Sequence, residues 1–269
     1  MLAPMVLCLK AWKSRSLPGI YLINFKEIKL IKKIYNKIYS KFITREKNFE
    51  SMLISGLKDK QNFIDVGTND LKESIIASNY KKLDIHIFEP DPRNIKIIKK
   101  KLSKISNNNN NYFLNENCAV SNSESYINLF LNKKNSNLNS IVKNIKEDSS
   151  QNYIKVKSIK LDNYIKEYKL KNFLIKADIE GGEQELLEGC LNVLEHKSNI
   201  SILLELHPEK YNLNKIKKLF YRIFTFGYVI EIIESAACPI PKFFQNTIIS
   251  LFRLKIIEVC IKMLAMIFF

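Results

Sequence analysis

The chain has 269 residues, 46% hydrophobic and 26% charged, with a formal net charge of +16. There is room for one α/β domain with extensions or for two small domains, and enough apolar material for a buried core. The five cysteines are scattered and never form a C-x-x-C pair, which argues against a disulfide framework and a zinc site and fits a reducing cytoplasm.

The charge admits nucleic acid, an anionic membrane surface or an acidic substrate as partner. The lysines, however, are dispersed, apart from short runs such as Lys99-Lys100-Lys101. Lysine, isoleucine and asparagine abound everywhere, so compositional drift explains the balance better, and no specific nucleic acid is expected.

The apolar start Met1 to Leu9 is broken by Pro4; it is too short to span a bilayer and reads poorly as a signal peptide. From about Lys26 to Phe42, apolar residues at helical spacing predict an amphipathic helix, a lid or packing element before the core. A second helix is predicted over Phe49–Leu57.

Strands and helices then alternate. The predicted strands are Asn62–Val66, Asp84–Glu89, Tyr112–Val120, Tyr126–Leu131, Tyr153–Leu161, Phe173–Ile179, Ile200–Leu206 and Tyr228–Ile233. The predicted helices are Glu73–Asn79, Asn94–Leu102, Asp162–Tyr168, Glu183–Leu194 and Lys215–Phe226. This order predicts a doubly wound α/β fold, mostly parallel, with helices on both faces. The polar segment from Asn132 to Asn152 reads as a loop over a site or as an insertion. The tail from Ile248 to Phe269 is apolar but carries Arg253, Lys255, Glu258 and Lys262, and so reads as a packing or dimer helix, with peripheral membrane contact as the alternative. The expected organisation is a helical extension over 1–48, a core domain over 49–247 and the tail over 248–269.

Four predicted strands end in acids: Asp65, Glu89, Asp178 and Glu205. In a doubly wound sheet such ends open onto the ligand edge. Asp65 is followed at once by a turn containing Gly67 and Asn69, where glycine lets backbone approach a ligand. Glu89 stands at the next strand end, placed to accept both hydroxyls of a ribose. The pattern predicts a nucleoside-bearing cofactor.

The segments Phe63-Ile64-Asp65-Val66-Gly67-Thr68-Asn69, Phe88-Glu89-Pro90-Asp91-Pro92, Cys118-Ala119-Val120-Ser121, Leu161-Asp162 and Lys176-Ala177-Asp178-Ile179-Glu180-Gly181-Gly182-Glu183 resemble the ordered motifs of FkbM-type methyltransferases. Glu205-Leu206-His207-Pro208 resembles that family's later strand end. The resemblance covers about Phe49 to Ile233. It implies the class I methyltransferase fold, Rossmann-like with a seven-stranded sheet, and S-adenosylmethionine (SAM) as cofactor. It places Asp65 and Gly67 at the methionine portion, Glu89 at the ribose and Cys118 and Ala119 at the adenine, with Asn69 also binding the cofactor and Asp178 facing the methyl group. The expected activity is O-methylation of a hydroxyl on a small molecule or glycan, with Asp178, Glu180 and His207 as candidate bases and no metal. Lys176 is expected to pair with an acid. One departure stands out. Related chains carry a second glycine four residues after the first, where this chain has Leu71, and that side chain is expected to crowd the cofactor or push the turn outward. A catalytically silent Rossmann-like module that binds nucleic acid or membrane through its basic surface, and a nucleotide-sugar or NAD enzyme, remain as alternatives.

Overall fold

The computed structural model describes residues 5–11, 49–105, 109–132, 136–142, 152–196, 199–207, 210 and 212–235. The predicted helix between Lys26 and Phe42 and the apolar tail from Ile248 lie outside them.

Five strands build the parallel core: β2 (Asn62–Val66), β3 (Asp84–Glu89), β4 (Asn111–Glu116), β8 (Phe173–Ala177) and β9 (Ser201–Leu206). Their spatial order is β9-β8-β2-β3-β4, all parallel. Beyond β9 lie β1 (Met5–Ala11), antiparallel to it, and β10 (Tyr228–Ser235), antiparallel to β1. The sequence reading had assigned no strand to Met5–Ala11.

β2 and β8 are buried along their whole length, as expected for parallel strands covered on both faces. Helices α1 (Phe49–Leu57), α2 (Lys72–Tyr80) and α3 (Pro92–Leu102) accompany this half of the sheet. Met52, Leu53 and Leu57 of α1 join Phe63, Ile85 and Leu174 in one buried cluster. Asp91 starts α3 by accepting the Arg93 amide at 2.8 Å, with Pro92 in the first turn, where its missing N–H is harmless.

Two predicted elements are broken. Tyr112–Val120 is not one strand. β4 ends at Glu116, Asn117 takes φ 50°, and Cys118–Val120 becomes β5 in a second sheet. Asparagine tolerates the left-handed conformation that this turn requires. β5 pairs parallel with β7 (Tyr153–Ile159), which pairs antiparallel with β6 (Tyr126–Phe130).

The predicted helix Glu183–Leu194 is likewise two short helices, α5 (Glu183–Glu188) and α6 (Leu191–His196). Between them, a Cβ on Gly189 would lie 2.1 Å from the Ser121 carbonyl oxygen, so only glycine fits that approach. Asp162, from α4 (Leu161–Glu167), accepts the Asn192 and Val193 amides and so starts the second piece. A last helix, α7 (Leu213–Thr225), precedes β10. Among the described residues no helix is long and apolar enough to cross a membrane.

Candidate functional site

The C-terminal ends of β2, β3 and β8 border a cleft of about 550 Å³, part of it open to solvent. Gly67 and Asn69 line it from the β2 turn, Phe88, Glu89 and Pro90 from the end of β3, Cys118 and Ala119 from β5, and Asp178 and Glu180 from the end of β8.

Gly67 is fixed by geometry. Its φ is 72°, and a Cβ there would stand 2.2 Å from the Asp178 carbonyl oxygen and 2.7 Å from the Ile179 side chain. The turn after β2 and the end of β8 approach so closely that no side chain can separate them.

Glu89 is 3% exposed. One carboxylate oxygen accepts the Asn69 amide and the other the Asp91 amide, each at 2.8 Å. Burial pushes its carboxyl up to about 7, against these hydrogen bonds, which favour the ionised form. Opposite lie Cys118 and Ala119, both nearly buried; burial pushes the Cys118 thiol up to about 11 and keeps it neutral.

Asp65 is not in the cleft, contrary to the sequence reading. It lies one residue short of the end of β2, and the alternation of a strand turns its side chain onto a covered sheet face. There its Oδ2 accepts the Thr68 and Ser74 hydroxyls at 2.8 and 2.6 Å, and Oδ1 lies 3.3 Å from Lys176 Nζ. Lys176 also donates to the Gly67 carbonyl at 3.2 Å. Burial acts to lower the Lys176 ammonium, but Asp65, Asp178 and Glu73 together outweigh it and raise it. The pair ties the turn down from below.

Leu71 also differs from expectation. It keeps the positive φ, 70°, that a glycine would accept easily, yet its side chain is wholly buried among Met52, Leu53 and Ile87. It points away from the cleft and does not crowd it.

Beyond Asp178 the edge is acidic. Glu180 Oε2 meets Lys210 Nζ at 2.5 Å, and its Oε1 lies 3.5 Å from His207 Nε2. His207 Nδ1 lies 3.0 Å from Oε1 of the fully buried Glu183. Burial acts to lower the His207 imidazole, but Glu180 and Glu183 outweigh it and push it up to about 10. A ring clamped between two carboxylates and held protonated at neutral pH is not the free base expected from the sequence, and it does not line the cleft. The same contacts from His207 and Lys210 hold Glu180 below its usual range despite burial. Glu205, which the sequence reading grouped with these acids, is pushed up to about 7 by burial and then by the charge of Asp178.

Sequence reasoning missed part of the lining. Ser136, Asn139, Ser140 and Ile141 belong to the polar segment after β6 and fold over the cleft. Asn139 donates to Asp91 Oδ2 at 2.6 Å and the Ser140 hydroxyl to the Glu180 carbonyl at 2.5 Å. The only signal was that segment's length and polarity, which suggested a loop over a site without naming its residues. The other two histidines stand elsewhere. His86 stacks on Phe113 at 4.6 Å with Nδ1 2.9 Å from the Tyr164 hydroxyl, and His196 contacts the Asn192 carbonyl within its own helix.

A parallel α/β sheet with a glycine turn and an acid at the next strand end defines the Rossmann-like class of nucleoside-cofactor proteins. The sequence model described as the methyltransferase FkbM domain matches residues 65–237, so the chain belongs to the FkbM methyltransferase family. No curated protein matches the chain. Among solved structures, a precorrin-6y C5,15-methyltransferase from Geobacter metallireducens GS-15 is similar at 19% identity and a TM-score of 0.37, over 71% of this chain and 75% of that one.

Proposed function

We propose that the protein is a SAM-dependent methyltransferase acting on a hydroxyl of a small molecule or glycan. The observation that carries this reading is Glu89. It is a buried carboxylate held by two backbone amides, and it faces the cleft beside the turn of Gly67. Each oxygen keeps lone-pair capacity beyond the amide it accepts, enough for the two hydroxyls of a ribose. The wall of Phe88, Cys118 and Ala119 offers an apolar, uncharged surface for a flat base. Gly67 leaves the turn bare for the amino-acid portion. The residues present therefore fit SAM.

When bound, that cofactor supplies an electrophilic methyl group on a sulfonium. The chain contributes alignment and exclusion of water, which dominate such in-line displacements. Ser140 and Asn139 anchor the covering segment to both sides of the cleft. Asp178, which lines the cleft, would take the acceptor's hydroxyl proton on its carboxylate, with the cofactor supplying the methyl group. Cys118 and Cys190 are free and buried, in keeping with a reducing, cytoplasmic setting.

Calorimetric titration with SAM tests the reading, followed by methyl-labelled SAM in a host extract with mass identification of the product. Binding in the micromolar range and a labelled hydroxylated product are expected. A folded protein that takes up no SAM at millimolar concentration would refute it.

A further inference from the structure

We infer that Asp178, Glu180 and His207 form a binding site for one divalent first-row cation. Each offers one ligand atom, and these atoms lie within 4.8 Å of one another. The three come from two neighbouring strand ends, β8 and β9, so the parallel sheet itself sets their spacing.

The second observation is the orientation of His207. Glu183, with no exposed surface, stands 3.0 Å from Nδ1 and leaves Nε2 facing Glu180 Oε1 at 3.5 Å. A carboxylate behind the distal ring nitrogen is the arrangement that fixes tautomer and ring angle in metal-ligating histidines. Glu183 is itself held, since it accepts the Gly181 amide at 3.2 Å.

Charge points the same way. Four carboxylates gather here: Asp178, Glu180, Glu183 and Glu205. Lys210 faces them and engages Glu180 Oε2, while Oε1 faces His207 Nε2 at 3.5 Å. Lys176 also contributes charge but is engaged by Asp65, Glu73 and the Gly67 carbonyl. A metal ion would take the Nε2 position that now faces Glu180 Oε1. Two carboxylate oxygens and one imidazole nitrogen suit Mn²⁺ or Zn²⁺ better than the all-oxygen preference of Mg²⁺ or Ca²⁺.

The purpose of such an ion rests on the methyl-transfer reading, while its binding does not. Asp178 lines the cleft, so an ion there reaches an acceptor oxygen and makes its proton easier to remove. This favours an acceptor with two adjacent oxygens able to chelate, such as a vicinal diol or a hydroxyl beside a carbonyl.

The test is Mn²⁺ binding to the full chain, stripped with chelator and free of SAM, followed by electron paramagnetic resonance and calorimetry. One Mn²⁺ per chain is expected. Asp178→Asn and Glu180→Gln should each weaken it at least about 10-fold, and Glu183→Gln, one shell removed, by about 10–100-fold. Glu89→Ala should leave it unchanged. Unfolding curves accompany each variant. A folded wild-type chain that binds no Mn²⁺ at about 1 mM, the weak end of the range for protein sites of hard divalent cations, overturns the proposal. So does unchanged affinity in folded Asp178→Asn and Glu180→Gln. Mn²⁺ binding without SAM binding leaves the cation site standing and removes the methyltransferase reading; SAM binding without Mn²⁺ binding does the reverse.

Discussion

The Lys176 ammonium lies 3.3 Å from Asp65 Oδ1, with both side chains buried beneath the turn that carries Gly67. Asp65 therefore acts on the cleft at one remove, by holding the turn. Asp65→Ala leaves a buried cation short of its partner, with Glu73 3.8 Å away as a partial substitute. Breaking such a pair from one side costs about 3–5 kcal/mol. Urea denaturation should show this loss, and Asp65→Ala combined with Lys176→Met should recover part of it. A single variant as stable as wild type would contradict the account.

Glu89 makes SAM affinity depend on pH. Its carboxyl is raised to about 7 in the free protein, and ribose hydroxyls donate to the ionised form. Binding then expels a proton, so affinity rises with pH below about 7 and levels off above it. Calorimetry from pH 5.5 to 8.5 in buffers of differing ionisation heat measures both effects. Glu89→Gln should flatten the profile and cost about 1.5–3 kcal/mol of binding, the range for hydrogen bonds to a charged group. The raised value also means that the folded state holds more protons than the unfolded one between its usual 4.5 and about 7. The Glu89 contribution to stability accordingly falls as pH rises through that window.

Gly67→Ala should abolish SAM binding. The added methyl would meet the Asp178 carbonyl oxygen at 2.2 Å, and the φ of 72° is unfavourable for alanine. The turn must move away from β8, which opens the floor of the cleft. Loss of SAM binding in a chain that still unfolds cooperatively is the expected pattern.

Leu71 reverses the usual order of alanine and glycine. Its φ of 70° costs about 1–2 kcal/mol in any non-glycine residue, while its buried side chain contributes more. Leu71→Ala loses the packing and keeps the strain, at about 2–5 kcal/mol. Leu71→Gly loses the packing but relieves the strain, so it should be the more stable variant by about 1 kcal/mol, despite the chain entropy glycine adds. Thermal unfolding of the two variants side by side decides it.

Much of the fold could be read from the sequence because its signals are local. The apolar runs ending in Asp65, Glu89 and Asp178, with a glycine turn and a proline-started helix between them, encode a parallel core. Gly67 and Asn69 marked the turn, and the motif order marked the family. The breaks at Asn117 and Gly189 were less legible. Both depend on which distant segment lies against the backbone, and for Gly189 that neighbour is Ser121.

Only the tertiary structure decided what the site residues do. Asp65 and Glu89 look alike in the sequence, each an acid closing an apolar run. One lies within its strand and faces a helix and a lysine; the other ends its strand and faces the cleft. Asp65 pairs with Ile87, two residues before Glu89, so both acids leave the same face of the sheet, and depth below the strand end separates the structural acid from the binding one. His207 likewise reads as a base from its place after a buried strand, until Glu180 and Glu183 are seen on either side of it. Local patterning set the ribbon and its turns, whereas the partners of each charge, and with them its chemistry, came from segments far away in the chain.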